Sequence, residues 1–293
     1  MRRTAALSGI VAISFSAIFV ALSGVSPSTS AFFRTAYALP VLGVAVLVTG
    51  RSHARPVGAR LLAVAAGISL GIDLSLWHRS IEWIGAGLAT LLANTHVVFV
   101  GLGAWLLYRE RPSRVTLVTA PIVFAGVALV SGLGRAEAFG ARPIAGTLAG
   151  IGAGAAYAGF QIGLRHAMRG RPGPPAGPMF DATVGAALAT LALAPADPGF
   201  SWAFSWPEHG WLLALALGSQ VAGWLLISSA LPRLPGMETA TLLLVQPALT
   251  VLWAQLLFDE PLAALQWAGL VVVLSGIAAI TLSGAAAARR RMP

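Results

Sequence analysis

Long apolar segments follow one another along the whole chain, separated by short stretches rich in arginine, proline or glycine. Each apolar segment has roughly the ~20 residues that an α-helix needs to cross the hydrocarbon core of a bilayer. The pattern predicts an all-α integral membrane protein with ten transmembrane helices. The predicted helices cover residues 5–23, 28–50, 60–78, 83–107, 115–133, 143–164, 178–195, 208–230, 236–257 and 262–283.

The second half of the chain repeats features of the first half. The segment LLYRE at Leu106–Glu110 corresponds to LLFDE at Leu256–Glu260, and at the same offset His96 corresponds to Gln246. An internal repeat with matched polar residues at membrane depth predicts two five-helix units around a central cavity. Because five is odd, the second unit is expected to be inverted relative to the first. The two predicted units are residues 1–138 and 139–293.

The composition supports a membrane protein and excludes several kinds of site. Apolar residues make up 57% of the chain and charged residues 10%, against about 45–50% and about 25% in soluble domains. The chain contains no cysteine, which excludes disulfides and thiolate metal sites. It also contains no lysine, which excludes a phosphate-binding P-loop lysine. No cofactor and no metal are predicted.

The distribution of arginine predicts the orientation in the membrane. The net charge is +9, and all 19 cationic residues are arginine. With the amino terminus in the cytoplasm, fifteen arginines lie on the inner side, and the positive-inside rule is satisfied. The arginines expected on the outer side are Arg34, Arg79, Arg135 and Arg142. We therefore expect a multi-pass protein of the cell inner (plasma) membrane with both termini in the cytoplasm. The arginines lie between apolar segments, so no nucleic-acid partner is expected.

Glycines four residues apart mark two helices for close packing. Gly67 and Gly71 lie on the third predicted helix, and Gly146, Gly150 and Gly154 lie on the sixth. This spacing presents a small surface on one face and lets two helix backbones approach each other in lipid.

Three polar residues in the middle of predicted helices are the strongest candidates for a substrate site. Asn94 and His96 lie near the midplane in the fourth helix, and Gln246 occupies the corresponding position in the ninth. Polar residues at this depth are costly and usually face a cavity. In a continuous helix, residues 94 and 96 point ~200° apart, so we expect only one of them to face the cavity.

Further candidates combine an aromatic ring with a hydrogen-bonding group on one helix face. Tyr157 and Gln161 are four residues apart, and so are Gln220 and Trp224. For each pair, packing between helices is the alternative interpretation. The residues predicted to bind substrate are His96, Asn94, Gln246, Trp77, Tyr157, Gln161, Gln220, Trp224 and Ser16.

Asp73 is an acid well inside a predicted helix. It is a candidate for proton coupling, as is His96, or a partner for a substrate ammonium group. The alternative is a structural pair with His78 or Arg79. Asp73 has no second acid at its depth, and no serine is spaced to act with His96, so enzymatic catalysis is not predicted.

Several short motifs together resemble one transporter family. They are Ser16-Ala-Ile-Phe-Val, Ala31-Phe-Phe-Arg34, Gly85-Ala-Gly-Leu-Ala-Thr-Leu-Leu, Arg109-Glu-Arg-Pro-Ser, Asp259-Glu-Pro-Leu and Gly126-Val-Ala-Leu. On these motifs the chain resembles an EamA-type member of the drug/metabolite transporter superfamily, over almost its whole length. The resemblance implies ten helices in two inverted five-helix repeats, with helices one, three, four, six, eight and nine around the cavity. The family commonly has proline where this chain has His96.

Within that superfamily the chain is most similar to amino acid exporters, including the aromatic amino acid exporter type. The neutral polar and aromatic candidates suit a compact zwitterion with an apolar side chain. Since all arginines are expected at or beyond helix ends, phosphate-bearing sugars fit less well. We expect an exporter of small amphipathic metabolites, foremost amino acids, that works by alternating access. A lipid-linked sugar flippase and a non-transporting sensor are the alternatives. Proton coupling and downhill export both stay open.

Overall fold

The structure is a computed structural model that describes residues 2–49, 55–109, 114–130, 140–169, 175–230, 236–259 and 262–290. The predicted boundary between the two units, after residue 138, lies outside the described residues. Residues 110–113 of the motif Arg109–Ser113 and residues 260–261 of the motif that begins at Asp259 lie outside them as well.

The described residues are nearly all helical. The helices of the first half are α1 (Arg2–Ser14), α2 (Ser16–Ser23), α3 (Pro27–Thr49), α4 (Val57–Ile84), α5 (Ala86–Ala93), α6 (His96–Tyr108) and α7 (Arg114–Val130). The second half contains α8 (Pro143–Met168), α9 (Ala176–Leu193), α10 (Glu208–Leu213), a π-helical segment (Ala214–Gly223), α11 (Trp224–Ala230), α12 (Gly236–Phe258) and α13 (Ala264–Arg290). A short 3₁₀ turn, Ala194–Ala196, follows α9.

These helices follow the order of the ten predicted spans. Within the described residues, seven helical stretches are long and apolar enough to cross a membrane, and Arg114–Leu129 and Val245–Phe258 are shorter apolar helices. Large apolar side chains such as Leu47, Val48 and Leu106 are 69–79% exposed on the outside of the bundle. Such a surface is suited to contact with lipid rather than with water.

Three predicted spans differ from single continuous α-helices. The first is interrupted at Phe15 between α1 and α2, and the fourth is interrupted at Asn94 and Thr95 between α5 and α6. The eighth contains the ten-residue π-helical segment. Side chains that bond to backbone carbonyls produce the first two interruptions, and apolar patterning does not reveal such bonds.

The third predicted span is longer than expected. The predicted span ends at residue 78, but α4 continues to Ile84, past His78 and Arg79. The helix continues because both groups find partners. His78 shares a hydrogen bond of 2.7 Å with Ser30, and Arg79 lies 3.4 Å from the Asp197 carboxylate.

Helix α4 lies at the centre of the bundle and packs against α8 and α9. A Cβ atom added at Gly67 would collide with the carbonyl group of Ala182 on α9, and one at Gly185 would collide with the carbonyl group of Val64. The two helices therefore meet backbone to backbone at a reciprocal pair of glycines. This contact confirms the packing role predicted for Gly67.

Hydrogen bonds add to the packing of α4 against α8. Ser80 donates to the carbonyl of Gly146 at 2.8 Å, and Ser69 donates to the carbonyl of Ala156 at 2.9 Å. On α8, Gly150 lies close to Leu92, since an added Cβ would approach the Leu92 side chain to 2.8 Å. The glycine face of α8 therefore packs closely against α4 and α5, which agrees with the close packing predicted from its spacing.

Asp197 connects the start of α3, the last turns of α4 near Arg79, and its own loop after the 3₁₀ turn. Its carboxylate accepts hydrogen bonds from the backbone N–H groups of Ser28, at 3.1 Å, and Gly199, at 3.0 Å. Burial alone would raise the pKa of this carboxyl, but these N–H donors and the Arg79 guanidinium outweigh burial and lower the pKa below its usual range. Asp197 therefore stays ionised at neutral pH and holds the start of α3 against the end of α4.

The glycine contact between α4 and α9 can be tested with a matched pair of substitutions in α4. Gly67→Ala places a methyl group against the Ala182 carbonyl, so we expect it to lower the free energy of unfolding by about 1–3 kcal/mol. Gly58→Ala is the control, because an added Cβ there has no neighbour within 4 Å. Thermal unfolding in detergent, followed by circular dichroism, compares the two variants. Equal midpoints would contradict the contact.

Candidate functional site

A cavity of about 240 Å³ lies between helices of both halves of the chain. All nine residues predicted to bind substrate line it, and Asp73 lines it as well. The predicted residues are brought together from α2, α4, α6, α8, the π-helical segment, α11 and α12, and from Asn94 between α5 and α6. Their role in binding stays a prediction, because the cavity shows only that they are neighbours.

The interruption between α5 and α6 places polar side chains at the cavity wall. Asn94 donates from Nδ2 to the carbonyl of Thr90 at 2.8 Å, and Thr95 donates to the carbonyl of Leu92 at 2.7 Å. The His96 Nδ1 lies 3.2 Å from the carbonyl of Ala93. These side chains bond to the last carbonyls of α5, two of which, those of Thr90 and Leu92, also accept backbone N–H groups.

Asn94 and His96 both line the cavity, so the expectation that only one of them faces it was wrong. The ~200° separation holds for a continuous α-helix, whereas between α5 and α6 the backbone makes i→i+3 hydrogen bonds, among them Val97 N–H to the Asn94 carbonyl. Gly154 on α8 makes room for the interruption, because an added Cβ there would approach Thr95 Oγ1 to 2.8 Å.

At the interruption between α1 and α2, side chains from other helices form hydrogen bonds to groups of α1. Ser219 donates to the carbonyl of Ala12 at 2.7 Å, and Thr250 donates to the carbonyl of Ser14 at 2.9 Å. The indole N–H of Trp253 donates to Ser14 Oγ at 3.0 Å. Carbonyls that lose their helical partner are thereby satisfied inside the bundle. Ser16 begins α2 at this point and lines the cavity.

Aromatic rings form part of the cavity wall. The rings of His96 and Tyr157 meet edge to face with centroids 4.9 Å apart, and Tyr157 also contacts Phe160 at 5.6 Å. Trp77 and Trp224 line the cavity from α4 and α11. The wall can therefore accept a flat or branched apolar group.

Arg34 is the most important lining residue that the sequence reasoning missed. All arginines were expected at or beyond helix ends, but Arg34 lies two turns inside α3, is 7% exposed and lines the cavity. Its Nε donates to Gln220 Oε1 at 3.0 Å, and its guanidinium lies 5.5 Å from the centroid of the Trp77 ring. The motif Ala31-Phe-Phe-Arg34 was the available signal, because it places an arginine within an otherwise apolar helix.

Asp73 lies on the cavity and not in the structural pair offered as its alternative. It is 7% exposed and lines the cavity. His78 shares its hydrogen bond with Ser30, and Arg79 pairs with Asp197 and, at 3.9 Å, with Glu82. The cavity therefore contains one acidic and one basic side chain among the described residues that line it.

Four polar atoms on the cavity-lining residues are buried without a hydrogen-bond partner among the described residues. They are Ser16 Oγ, Arg34 Nη1, Trp77 Nε1 and Thr90 Oγ1. Buried polar groups are usually paired, so each exception needs an explanation. Their clustering around one cavity suits a region that receives polar groups from a ligand. The arrangement favours reversible binding by hydrogen bonds, charge and ring contacts.

The helix order and the cavity agree with a comparison against known families. The model of the EamA-like transporter family matches this chain twice, over residues 4–132 and 144–282. The chain belongs to the EamA-like transporter family. This EamA-family protein is therefore a multi-pass membrane transporter of small molecules and not an enzyme. The family match does not extend to the aromatic amino acid exporter type.

Curated relatives of this EamA-family transporter include two described as uncharacterized transporters. YwfM of Bacillus subtilis (strain 168) is 23% identical over 87% of this chain and 84% of its own length. The transporter sll1319 of Synechocystis sp. is 26% identical over 74% of this chain and 65% of its own length. A probable 4-amino-4-deoxy-L-arabinose-phosphoundecaprenol flippase subunit, ArnE of Pseudomonas fluorescens, is 34% identical over 27% of this chain and 67% of its own length.

The fold of the EamA-family transporter is also similar to a solved structure. One protein of known crystal structure aligns over 99% of both chains with a TM-score of 0.63 and 19% sequence identity. At this level of identity the similarity shows a shared fold and carries no information on substrate.

Two further helices contribute to the cavity wall, in addition to the six that the resemblance implies. Arg34 of the second predicted helix and Met179 of the seventh both line the cavity.

The water accessibility of the cavity can be tested by cysteine labelling, because the chain contains no cysteine of its own. Ala93 lines the cavity, so we expect Ala93→Cys to react with a small charged thiol reagent in purified protein. Ala153 is 0% exposed and belongs to the buried apolar core, so Ala153→Cys should react much more slowly. Labelling is read out by mass spectrometry. Equal rates for the two variants would contradict the cavity.

Proposed function

We propose that this EamA-family transporter exports amino acids, including aromatic ones, from the cell by alternating access. The observation that supports this most strongly is the lining of the cavity. Neutral polar groups from Asn94, His96, Gln161 and Gln246 share the wall with aromatic rings. Such a lining binds the polar part of a small amphipathic molecule by hydrogen bonds and its apolar part by ring contacts.

The size of the cavity supports a small substrate. Its volume of about 240 Å³ lies below the ~300–1,000 Å³ that is usual for pockets that hold drug-sized ligands. An amino acid is smaller than such ligands, whereas a lipid-linked sugar is larger and carries long acyl chains. We therefore favour a free metabolite as the substrate.

Alternating access requires two bundles that tilt around a central site, and we propose that the two five-helix units are inverted copies that do so. Two observations support this. The family model matches once in each half, and the cavity is lined by residues of both halves, among them His96 and Gln246 at corresponding positions. We further propose an inner-membrane location with both termini in the cytoplasm, on the arginine distribution.

The energy source is a separate part of the proposal. Asp73 and His96 both line the cavity, and both have side chains that can exchange protons. We propose that one of them binds a proton during the cycle and couples export to the proton gradient. Downhill export is the competing possibility.

A counterflow assay tests the function. Purified protein in liposomes loaded with unlabelled amino acid should accumulate the same labelled amino acid from outside, with aromatic and branched apolar amino acids above charged ones. The cavity lining predicts this order, because it pairs ring contacts with few charged groups. Empty liposomes and liposomes without internal amino acid are the controls. Absence of counterflow for a full panel of amino acids would overturn the proposed substrate class.

Proton coupling is tested in the same liposomes by imposing a pH gradient. A coupled carrier should move labelled amino acid against its own gradient, and loss of the coupling group, in Asp73→Asn or in His96→Ala, should lower the ratio of uphill flux to counterflow measured in the same liposomes. The reason is that counterflow needs only substrate exchange, whereas uphill flux needs the proton-binding group. Gln161→Leu, which removes a cavity group that cannot titrate, is the control. Equal flux with and without the gradient would support downhill export instead.

A further inference from the structure

Arg34 is a buried cation that the structure places at the cavity and not at a membrane surface. It is 7% exposed, although it belongs to a helix long and apolar enough to span the membrane. Charged side chains at such positions are rare and face functional cavities. Among the described residues, no salt bridge within 4.0 Å joins Arg34 to a carboxylate.

The Arg34 guanidinium is held in one orientation by its neighbours. Gln220 Oε1 accepts the Nε–H at 3.0 Å, and the Trp77 ring lies against the guanidinium at 5.5 Å from its centroid. Gln220 comes from the π-helical segment, and π-helical turns are frequent at functional sites. A guanidinium fixed on one edge in this way keeps its remaining N–H groups for another partner.

The unpartnered atoms beside the guanidinium are donors. Arg34 Nη1 and Trp77 Nε1 have no partner among the described residues, and both groups can only donate hydrogen bonds. The hydroxyl groups of Ser16 and Thr90, unpartnered on the same cavity, can donate as well. A cluster of donors with a positive charge recognises an anionic group rich in acceptors.

The charges that line the cavity indicate which kind of anionic group the ligand carries. Asp73 lines the same cavity as Arg34, so a ligand that brings a single negative charge and a single positive charge leaves the cavity balanced. A carboxylate beside an ammonium group has this property, whereas a phosphate dianion does not. The planar guanidinium also matches the two oxygens of a carboxylate.

We propose that Arg34 binds the carboxylate of the transported substrate, with Trp77 as a second donor and Gln220 as a positioning residue. This inference rests on the proposed amino acid substrate and assigns its orientation. The competing explanation is that Arg34 serves only to balance the charge of Asp73 within the bundle. In that case the protein would not distinguish a carboxylate from an uncharged group of the same shape.

The test compares two ligands that differ only at the carboxylate. Phenylalanine and phenylalaninamide are titrated against purified protein in detergent, and binding is measured as the shift of the unfolding temperature. We expect the wild-type protein to bind phenylalanine about 10- to 150-fold more tightly, the ratio that corresponds to one charge-assisted hydrogen-bonding group. Arg34→Gln should reduce this ratio to about one, because only the acid loses a contact.

Further variants separate binding from structure. Trp77→Phe keeps the ring and removes the N–H donor, so its ratio should fall between those of wild type and Arg34→Gln. Asn94→Ala removes a polar group elsewhere on the cavity and should leave the ratio at its wild-type value, whatever happens to affinity. If Arg34→Gln does not fold, Arg34→Lys replaces it, because lysine keeps the charge but loses the planar fork, and its ratio should also fall.

A wild-type protein that binds the amide as tightly as the acid would overturn the inference, as would an unchanged ratio in the Arg34 variants. Failure of the proposed function has a different result, which is absence of counterflow for every amino acid. In that event 3-phenylpropanoate and 3-phenylpropanamide replace the two ligands in the binding assay. A preference for the carboxylate that depends on Arg34 would support the inference, and its absence would reject it.

Discussion

Within a bilayer, a backbone N–H or C=O group must find its partner inside the protein, because hydrocarbon supplies none. This constraint explains where the candidate site lies. The chain leaves helical geometry near Phe15 and near Asn94, and at both places side-chain hydroxyl, amide or ring nitrogen atoms bond to backbone carbonyls. The cavity lies beside these two interruptions. Polar side chains serve there both as partners for the backbone and as the lining of the cavity.

The positions of most polar lining residues were predictable because a polar group at membrane depth has a high free energy, and the sequence shows such groups directly. His96, Gln246 and Asp73 stand out in this way from their apolar neighbours. The helix order was predictable for the same reason, since each span is a long apolar segment. The binding roles of these residues are a further step that neither hydropathy nor the cavity decides.

Arg34 could not be placed correctly because its depth depends on tertiary contacts. A long arginine side chain near a helix end ordinarily extends to the membrane surface, and here Trp77 and Gln220 hold it inside instead. The sequence did not predict that Asn94 and His96 both line the cavity, because the angle between them was calculated for a continuous helix. The apolar pattern around Gln220 does not distinguish a π-helical segment from an α-helix, so only the structure reveals this segment.

The reciprocal glycine contact between α4 and α9 has a mechanical consequence. Gly67 faces the Ala182 carbonyl and Gly185 faces the Val64 carbonyl, so the two helices interlock at two points along their axes. Sliding one past the other by a residue would drive a side chain into a peptide group. The contact therefore keeps α4 and α9 in register, and a relative movement that preserves it is a small rotation about the glycine pair and not a slide along the helix axes.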